Sequence, residues 1–179
     1  FLWNNPSLRR VEFANDRTRW VSEGCRQIDY YITAGSTYAD IMANYADATG
    51  HAPALPEWAA GLWQCKLRYE TQGEFLQIAR EFKRRGLPVS VLVIDFLHWK
   101  HLGDWKFDPN SWPDPRAMVE EMDALGIRIM ISPWILVEER SDNFAEMKAR
   151  GLFTGSLDPD DTLQVWSLED RFHQYDPTN

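Results

Sequence analysis

The segment that most constrains the fold is VSVLVIDF at residues 89–96, an apolar run whose only charged residue is Asp95. The run shows no alternation of apolar and polar residues, which favours a strand buried on both faces, as in a parallel sheet. Ligands of parallel sheets bind at the carboxyl ends of the strands. The sequence therefore predicts that Asp95 lies at a binding pocket, with the aromatic-rich segment after it as one wall.

Strand and helix patterns alternate along the chain after residue 56. AAGLWQCKLRY at 59–69 is the predicted first strand, 89–96 the second, and IRIMISPW at 127–134 the third. Such alternation predicts right-handed βαβ units and a parallel sheet, that is, an α/β fold. Three units do not close a barrel by themselves. The last stretch, residues 153–179, has turn residues and little periodicity, and we interpret it as a long loop on the active face.

Helix signals stand between and after these strands. A capping box of Thr71 and Glu74 predicts a helix that ends at Gly86, and Asp114 with Pro115 predicts a second that ends at Gly126. Residues 141–150 predict a short third helix. The side chains expected to face inward are Phe75, Ile78, Ala79 and Phe82 in the first helix, Met118, Val119, Met122 and Leu125 in the second, and Phe144 and Met147 in the third.

The amino-terminal part has a different pattern. Residues 8–34 alternate as in a strand meander, which we interpret as the edge of a β-sandwich. Thr37 and Asp40 predict the start of a helix that ends at Gly50. The prolines of HAPALP at 51–56 interrupt any helix, so we expect one domain over residues 1–50 and another over 51–179.

Composition excludes several classes of partner. A formal charge of −8 argues against nucleic-acid binding, which requires clustered lysine and arginine, and leaves neutral or cationic ligands. Nine tryptophans suit both a core and a sugar-stacking site. Cys25 and Cys65 are expected to be reduced thiols. No segment has the length of a membrane span or the pattern of a signal peptide, so we expect a cytoplasmic protein, and both ends of the chain suggest a fragment.

Two sets of polar residues are candidates for ligand or metal binding. Asp95 has the position for charge-assisted hydrogen bonds to vicinal hydroxyls, but it equally suits a loop cap or an ion pair with Lys100 or Lys106. The set Asp95, His98 and His101 resembles a group of metal ligands, although histidines in loops more often bond to backbone carbonyls or water.

The other candidates lie at neighbouring strand ends. Trp134, at the end of the third strand, suits either sugar stacking or packing at the rim. Arg68, at the exit of the first strand, suits contact with a ligand hydroxyl or an ion pair with Glu70. The charge run from Glu138 to Arg140 is expected to face solvent, since such runs usually do. The aromatic residues of the 103–115 loop are expected to pin that loop onto the rim.

Several of these segments together resemble glycoside hydrolase family 31, which comprises α-glucosidases, α-xylosidases and related enzymes. The strongest parts are VLVIDFLHW and the order FDP, WPDP and AM within residues 107–118. The opening FLWNN, the RTRW strand and the run from QIDYY to PEW also resemble the end of the family's β-sandwich and its link to the barrel. The resemblance implies the first three βα units of a (β/α)8 TIM barrel, preceded by β-strands of an N-terminal β-sandwich domain.

The resemblance also implies roles for particular residues. Asp95 matches the family's aspartate that binds sugar hydroxyls without acting as nucleophile, and Phe96 follows it beside the sugar. Trp134 and Arg68 match less closely as pocket-lining positions, and SPWIL departs from the order of residues in many relatives. All four residues are therefore expected to bind substrate.

The catalytic residues implied by the resemblance are a nucleophilic aspartate on the fourth strand and a later acid/base aspartate, both after Asn179. The full enzyme is then expected to cleave terminal α-linked glucose or xylose from oligosaccharides with retention of configuration, and to need no metal or cofactor. An oligomer of the full-length enzyme is compatible with the resemblance. The fragment alone is expected to be inactive. Two alternatives remain at this stage: a non-catalytic carbohydrate-binding module, and a metal-dependent barrel hydrolase built on Asp95, His98 and His101.

Overall fold

The computed structural model describes residues 1–5, 7–154, 163–164 and 171–177. The chain divides into two compact units, Phe1–Ala54 and Leu55–Asn179. In the first unit, strands pair in two antiparallel ribbons. These strands are β1 (Leu2–Trp3) with β4 (Tyr30–Tyr31), and β2 (Arg9–Phe13) with β3 (Thr18–Ser22). Of the meander predicted over 8–34, only β2 and β3 pair as consecutive strands; β4 pairs with β1 instead of β3 and is much shorter than the alternating pattern suggests.

Helix α1 (Tyr38–Thr49) follows the strands of the first unit. The side chain of Thr37 accepts a hydrogen bond from the backbone of Asp40, and the Asp40 carboxylate accepts one from the backbone of Thr37, so the predicted capping box is confirmed. Gly50 ends the helix with a φ of 97°, a conformation that glycine adopts without a steric penalty.

A parallel sheet organises the second unit. Its strands, in the order β5–β6–β7, are Trp63–Gln64, Val91–Ile94 and Arg128–Ile131. The central strand β6 is largely buried, which confirms the interpretation of the apolar run at 89–96. The first strand is far shorter than the predicted 59–69, because residues 57–60 form a 3-10 turn and Leu67 takes a left-handed backbone conformation.

Helices α2 (Gln72–Arg84) and α3 (Pro115–Ala124) follow β5 and β6. Asp114 caps α3 by accepting a hydrogen bond from the backbone of Ala117, as predicted. The box predicted for α2 forms only by half: Thr71 accepts from the backbone of Glu74, but the Glu74 carboxylate accepts from the backbone of Glu70 instead.

The core of the second unit lies between the sheet and these helices. Val119 does not take part in it, contrary to expectation, since 46% of that side chain is exposed. The apolar residues that are buried there shed most of their accessible surface, which is the main stabilising contribution to such a unit. They are Tyr69, Phe75, Leu76, Ala79, Val89, Leu92, Ile94, Trp112, Met118, Met122 and Ile127.

A second, antiparallel sheet follows β7, in the order β8–β10–β9. Strand β8 spans Leu136–Glu138, helix α4 spans Phe144–Ala149, β9 spans Leu163–Gln164, and β10 spans Arg171–Gln174. The long loop predicted over 153–179 is therefore wrong where β9 and β10 lie, and residues 155–162, 165–170 and 178–179 are outside the described residues. Among the described helices, none combines the length and the apolar character needed to cross a membrane.

Candidate functional site

The carboxyl ends of β6 and β7 bring two predicted site residues together. The strands run in parallel with Ile94 opposite Ile131, so the residues that follow them emerge at the same edge of the sheet. There the indole N–H of Trp134 donates a hydrogen bond to Oδ1 of Asp95 over 2.8 Å. Within the described part of the chain, no side chain or backbone group donates to Oδ2 of Asp95. One carboxylate oxygen is thus held by the Trp134 indole, and the other has no donor among the described residues.

Aromatic rings form a wall beside this carboxylate. The ring of Trp134 lies 5.2 Å from that of Phe96 and 6.1 Å from that of Trp99, measured between centroids. Phe96 and Trp99 meet edge to face at 6.3 Å. Tilted and edge-to-face contacts of this kind each contribute about 0.5–1.5 kcal/mol beyond the burial of surface, so they favour the observed packing of the three rings. Phe96 and Trp134 were predicted from sequence, whereas Trp99 was not, and the only signal for it was the aromatic density after Asp95.

Backbone strain marks the same edge of the sheet. Leu67, Leu97 and Trp134 follow β5, β6 and β7, and their φ angles are 67°, 61° and 52°. This conformation costs a residue other than glycine about 1–3 kcal/mol, and it persists only where surrounding contacts hold it. Strain of this kind is frequent at functional sites, which supports the hypothesis that a ligand binds at the edge that carries Asp95.

Arg68 is the predicted site residue that the structure does not join to Asp95. Its side chain is exposed, and among the described residues it makes no hydrogen bond or ion pair, either with Asp95 or with Glu70. Its positive charge contributes to a lowered pKa of Glu74, after the larger effect of the hydrogen bond from Lys66. A role of Arg68 in substrate binding stays a prediction.

The two histidines of the metal-like set bond to protein groups. Nδ1 of the buried His98 donates to the backbone carbonyl of Asp95 over 2.6 Å, and Nδ1 of His101 lies 3.0 Å from Oε1 of Glu138. In the described ranges, no group of three or more His, Cys, Asp or Glu residues is arranged to hold a metal ion. His98 thus ties the loop to the strand end that carries Asp95.

Burial lowers the pKa of His98 below its ordinary value, against a smaller opposing effect of the hydrogen bond to Asp95. A histidine in the unfolded chain binds a proton below about pH 6.5, while folded His98 stays neutral to lower pH. The contribution of His98 to the free energy of unfolding therefore decreases as the pH falls from about 6.5 toward the lower pKa of the folded state.

We expect His98→Gln to reduce this acid sensitivity, so that the fall in Tm from about pH 7 to about pH 5 is smaller than in the unmodified protein. The exposed His51, which pairs with Asp47, provides a matched control in His51→Gln. Calorimetry of the full-length protein at the two pH values measures both. An unchanged difference in Tm for His98→Gln would contradict the expectation.

Glu138 corrects the prediction of a solvent-facing charge run, since only 5% of it is exposed. Its Oε1 accepts hydrogen bonds from Nδ1 of His101 over 3.0 Å and from the backbone of Leu102 over 2.9 Å. Its Oε2 accepts from Arg140 over 2.9 Å. A buried carboxylate needs such partners, and together they fasten the loop after β6 to β8.

Gly103 allows this loop to lie directly against β8. Its φ is 97°, and a Cβ at this position would come within 2.6 Å of Cγ1 of Val137. The side-chain amide of Asn143 donates to the carbonyl of Gly103 over 2.7 Å. Two residues further on, the indole N–H of Trp105 donates to the backbone carbonyl of Trp134 over 2.9 Å. Sequence reasoning treated Trp105 only as a residue that packs the loop, and missed this contact.

Comparison with known proteins gives a match over most of the chain. The protein-family model described as "Glycosyl hydrolases family 31 TIM-barrel domain" matches residues 52–179. A curated relative from Pseudescherichia vulneris, "Uncharacterized family 31 glucosidase ORF2", is 55% identical over 150 residues, which is 84% of this chain and 28% of the relative. "Alpha-xylosidase A" of Aspergillus niger is 37% identical over 182 residues, 100% of this chain and 25% of the relative.

A solved structure shows the same similarity in three dimensions. The crystal structure of a GH31 alpha-xylosidase from a soil metagenome, complexed with xylose, superposes with a TM-score of 0.88 at 46% identity. The match covers 99% of this chain and 26% of that one. The chain thus spans about a quarter of the length of these relatives.

Proposed function

The chain belongs to glycoside hydrolase family 31, and we propose that the whole protein is an α-glycosidase that removes a terminal α-linked sugar from an oligosaccharide. The observation that carries this proposal is the pairing of Asp95 with Trp134 at the carboxyl edge of the parallel sheet. One oxygen of Asp95 is held by the indole, and the other faces no described protein donor. A carboxylate so placed suits charge-assisted hydrogen bonds from sugar hydroxyls.

The resemblance to the family extends the proposal to the mechanism. A retaining glycosidase forms a covalent glycosyl intermediate on one carboxylate, and a second carboxyl group acts as acid and then as base. We assign neither role to residues 1–179. In the proposed site, Asp95 binds the hydroxyls of the sugar to be cleaved, while Phe96 and Trp134 border that sugar. Arg68 is proposed as a residue at the mouth of the pocket, in keeping with its exposure.

The relatives favour xylose over glucose as the sugar removed. Two of those compared are α-xylosidases, and one of them was solved with xylose. Glucose differs from xylose by one hydroxymethyl group, so the choice depends on whether the pocket has room for that group. The glucosidase relative from Pseudescherichia vulneris keeps α-glucosides as the second candidate.

The proposal also assigns the two units of the chain. Residues 1–50 are proposed to be the end of an N-terminal β-sandwich domain with its linking helix α1, and residues 51–179 the first three βα units of the barrel. Two observations support a boundary here. The compact units meet between Ala54 and Leu55, and the family match begins at residue 52.

The test is hydrolysis of an aryl α-xyloside and an aryl α-glucoside by the full-length protein, followed by proton NMR. We expect turnover of the xyloside, with the α-anomer of the free sugar as the first product, because double displacement retains configuration. A first product of β configuration would contradict retention. Absence of turnover with both substrates would contradict the proposed function and revive the carbohydrate-binding module, and loss of activity on chelation would favour the metal-dependent alternative.

A further inference from the structure

We propose that Trp105 is a positioning residue for the sugar, acting through Trp134 on the carboxylate of Asp95. The inference rests on the function proposed above and deepens it. Two hydrogen bonds in series connect the residues. The indole of Trp105 donates to the backbone carbonyl of Trp134 over 2.9 Å, and the indole of Trp134 donates to Oδ1 of Asp95 over 2.8 Å.

The conformation of Trp134 explains why the first of these bonds matters. With a φ of 52°, its backbone lies in a region that costs about 1–3 kcal/mol and that persists only under external constraint. Trp105 holds the carbonyl of this strained residue. If that bond is lost, the backbone is free to relax, and the indole that it carries shifts away from Asp95.

Of the contacts that Trp105 makes with described residues, the hydrogen bond to Trp134 is the one that leads to Asp95. Trp105 is 41% exposed, and its own φ is 50°. Its ring meets that of Tyr175 edge to face at 5.7 Å. The preceding residue, Asp104, is buried and accepts hydrogen bonds from the backbones of His101 and Asp142. The loop is thus built to present this one ring at a set position.

The consequence for the site concerns the orientation of Asp95. A carboxylate that binds two hydroxyls must stay within roughly 0.5 Å and 10–20° of its productive position. The Trp134 indole holds Oδ1 of Asp95 and thereby sets the direction of Oδ2, and Trp105 holds the backbone carbonyl of Trp134. Trp105 itself touches no sugar in this arrangement.

The test uses Trp105→Phe in the full-length enzyme, which keeps an aromatic ring and removes the N–H. We expect kcat/KM for the aryl α-glycoside to fall roughly tenfold, the effect of one lost hydrogen bond in the site. Trp63→Phe is the matched control. Trp63 is also 41% exposed and donates its indole N–H to a backbone carbonyl, that of Ala59, but it begins β5 at the opposite edge of the sheet. The control is expected to stay within about twofold of the unmodified enzyme.

A series of monodeoxy substrates separates positioning from a general structural effect. The substrates on which Asp95→Ala lowers the rate least identify the hydroxyls that Asp95 binds. On those substrates, we expect the penalty of Trp105→Phe also to be smaller than on the parent substrate. The ratio of kcat/KM between parent and deoxy substrates does not depend on the folded fraction of the sample, so it stays informative even if Trp105→Phe lowers the yield of folded enzyme.

A double-mutant cycle provides the second readout. In the Asp95→Ala background, Trp105→Phe is expected to cost little more, because coupled residues are not additive. Full additivity, or an equal penalty on every deoxy substrate, would overturn the positioning role alone. If the unmodified enzyme cleaves no α-glycoside, or Asp95→Ala leaves the rate unchanged, the underlying function or the role of Asp95 fails and the inference falls with it.

Discussion

Replacement of Asp95 by alanine in the full-length enzyme is expected to lower kcat/KM for an aryl α-glycoside by at least about a hundredfold. Two charge-assisted hydrogen bonds to sugar hydroxyls contribute about 1.5 kcal/mol each or more, and about 2.7 kcal/mol corresponds to a hundredfold change in rate. Steady-state kinetics measures the effect, and circular dichroism shows whether the fold is kept. A rate within about threefold of the unmodified enzyme, with the fold intact, would remove Asp95 from the site.

Asp95→Asn distinguishes the charge of Asp95 from its place in the structure. Asparagine retains an oxygen that accepts from the Trp134 indole, so we expect a smaller loss, on the order of tenfold. Asp123→Ala is the matched control for loss of a carboxylate. Asp123 is exposed near the end of α3, shortly before Arg128 begins β7 at the opposite edge of the sheet. We expect no change for this control.

Replacement of Glu138 by alanine is expected to give the largest loss of stability among the polar residues near the site. It leaves the backbone N–H of the buried Leu102 without its partner and removes the carboxylate that His101 and Arg140 share. Arg140 and His101 are partly exposed, so water compensates some of the loss, and we expect about 2–3 kcal/mol. Calorimetry of the full-length protein is expected to show a lower Tm at neutral pH.

The neighbouring Glu139 offers a matched control for Glu138. Its side chain is 60% exposed, with His173 at 3.6 Å, so Glu139→Ala is expected to change stability by less than about 0.5 kcal/mol. Equal shifts in Tm for the two variants would show that Glu138 does not fasten the loop. Because that loop carries Trp105, we also expect Glu138→Ala to lower kcat/KM, whereas Glu139→Ala is not expected to do so.

Local sequence signals predicted several elements well. Thr37 with Asp40, and Asp114 with Pro115, start helices where expected, because a capping side chain bonds to backbone groups only three residues away. The apolar run at 89–96 identified the buried central strand, since its composition excludes a solvated face. The half-formed box at Thr71 shows the limit of such signals. Glu74 has two backbone partners within reach, and Lys66, brought close by the fold, favours one of them.

Predictions that depended on distant partners were less successful. The sequence around Glu138 is a run of charged residues, which is typical of a solvent-facing segment. Glu138 is nevertheless buried, because Leu102 in the loop after β6, more than thirty positions earlier in the chain, donates a hydrogen bond to it. Strands β9 and β10 lie in a stretch without clear periodicity, and β10 exists through its pairing with β8. A contact with a partner that far along the chain cannot be predicted from a single carboxylate or from an irregular segment.

The α/β alternation, the helix starts and the position of Asp95 at a strand end could be predicted from the amino-acid order, because they follow from contacts between near neighbours and from apolar patterning. The resemblance of the sequence to glycoside hydrolase family 31 determined the family, which the comparisons confirm. The groups that contact Asp95 could be identified only from the three-dimensional fold. The Trp134 indole, the strained backbone behind it and the Trp105 bond that holds that backbone all depend on adjacent parallel strands ending at one edge, a relation between residues that no local pattern encodes.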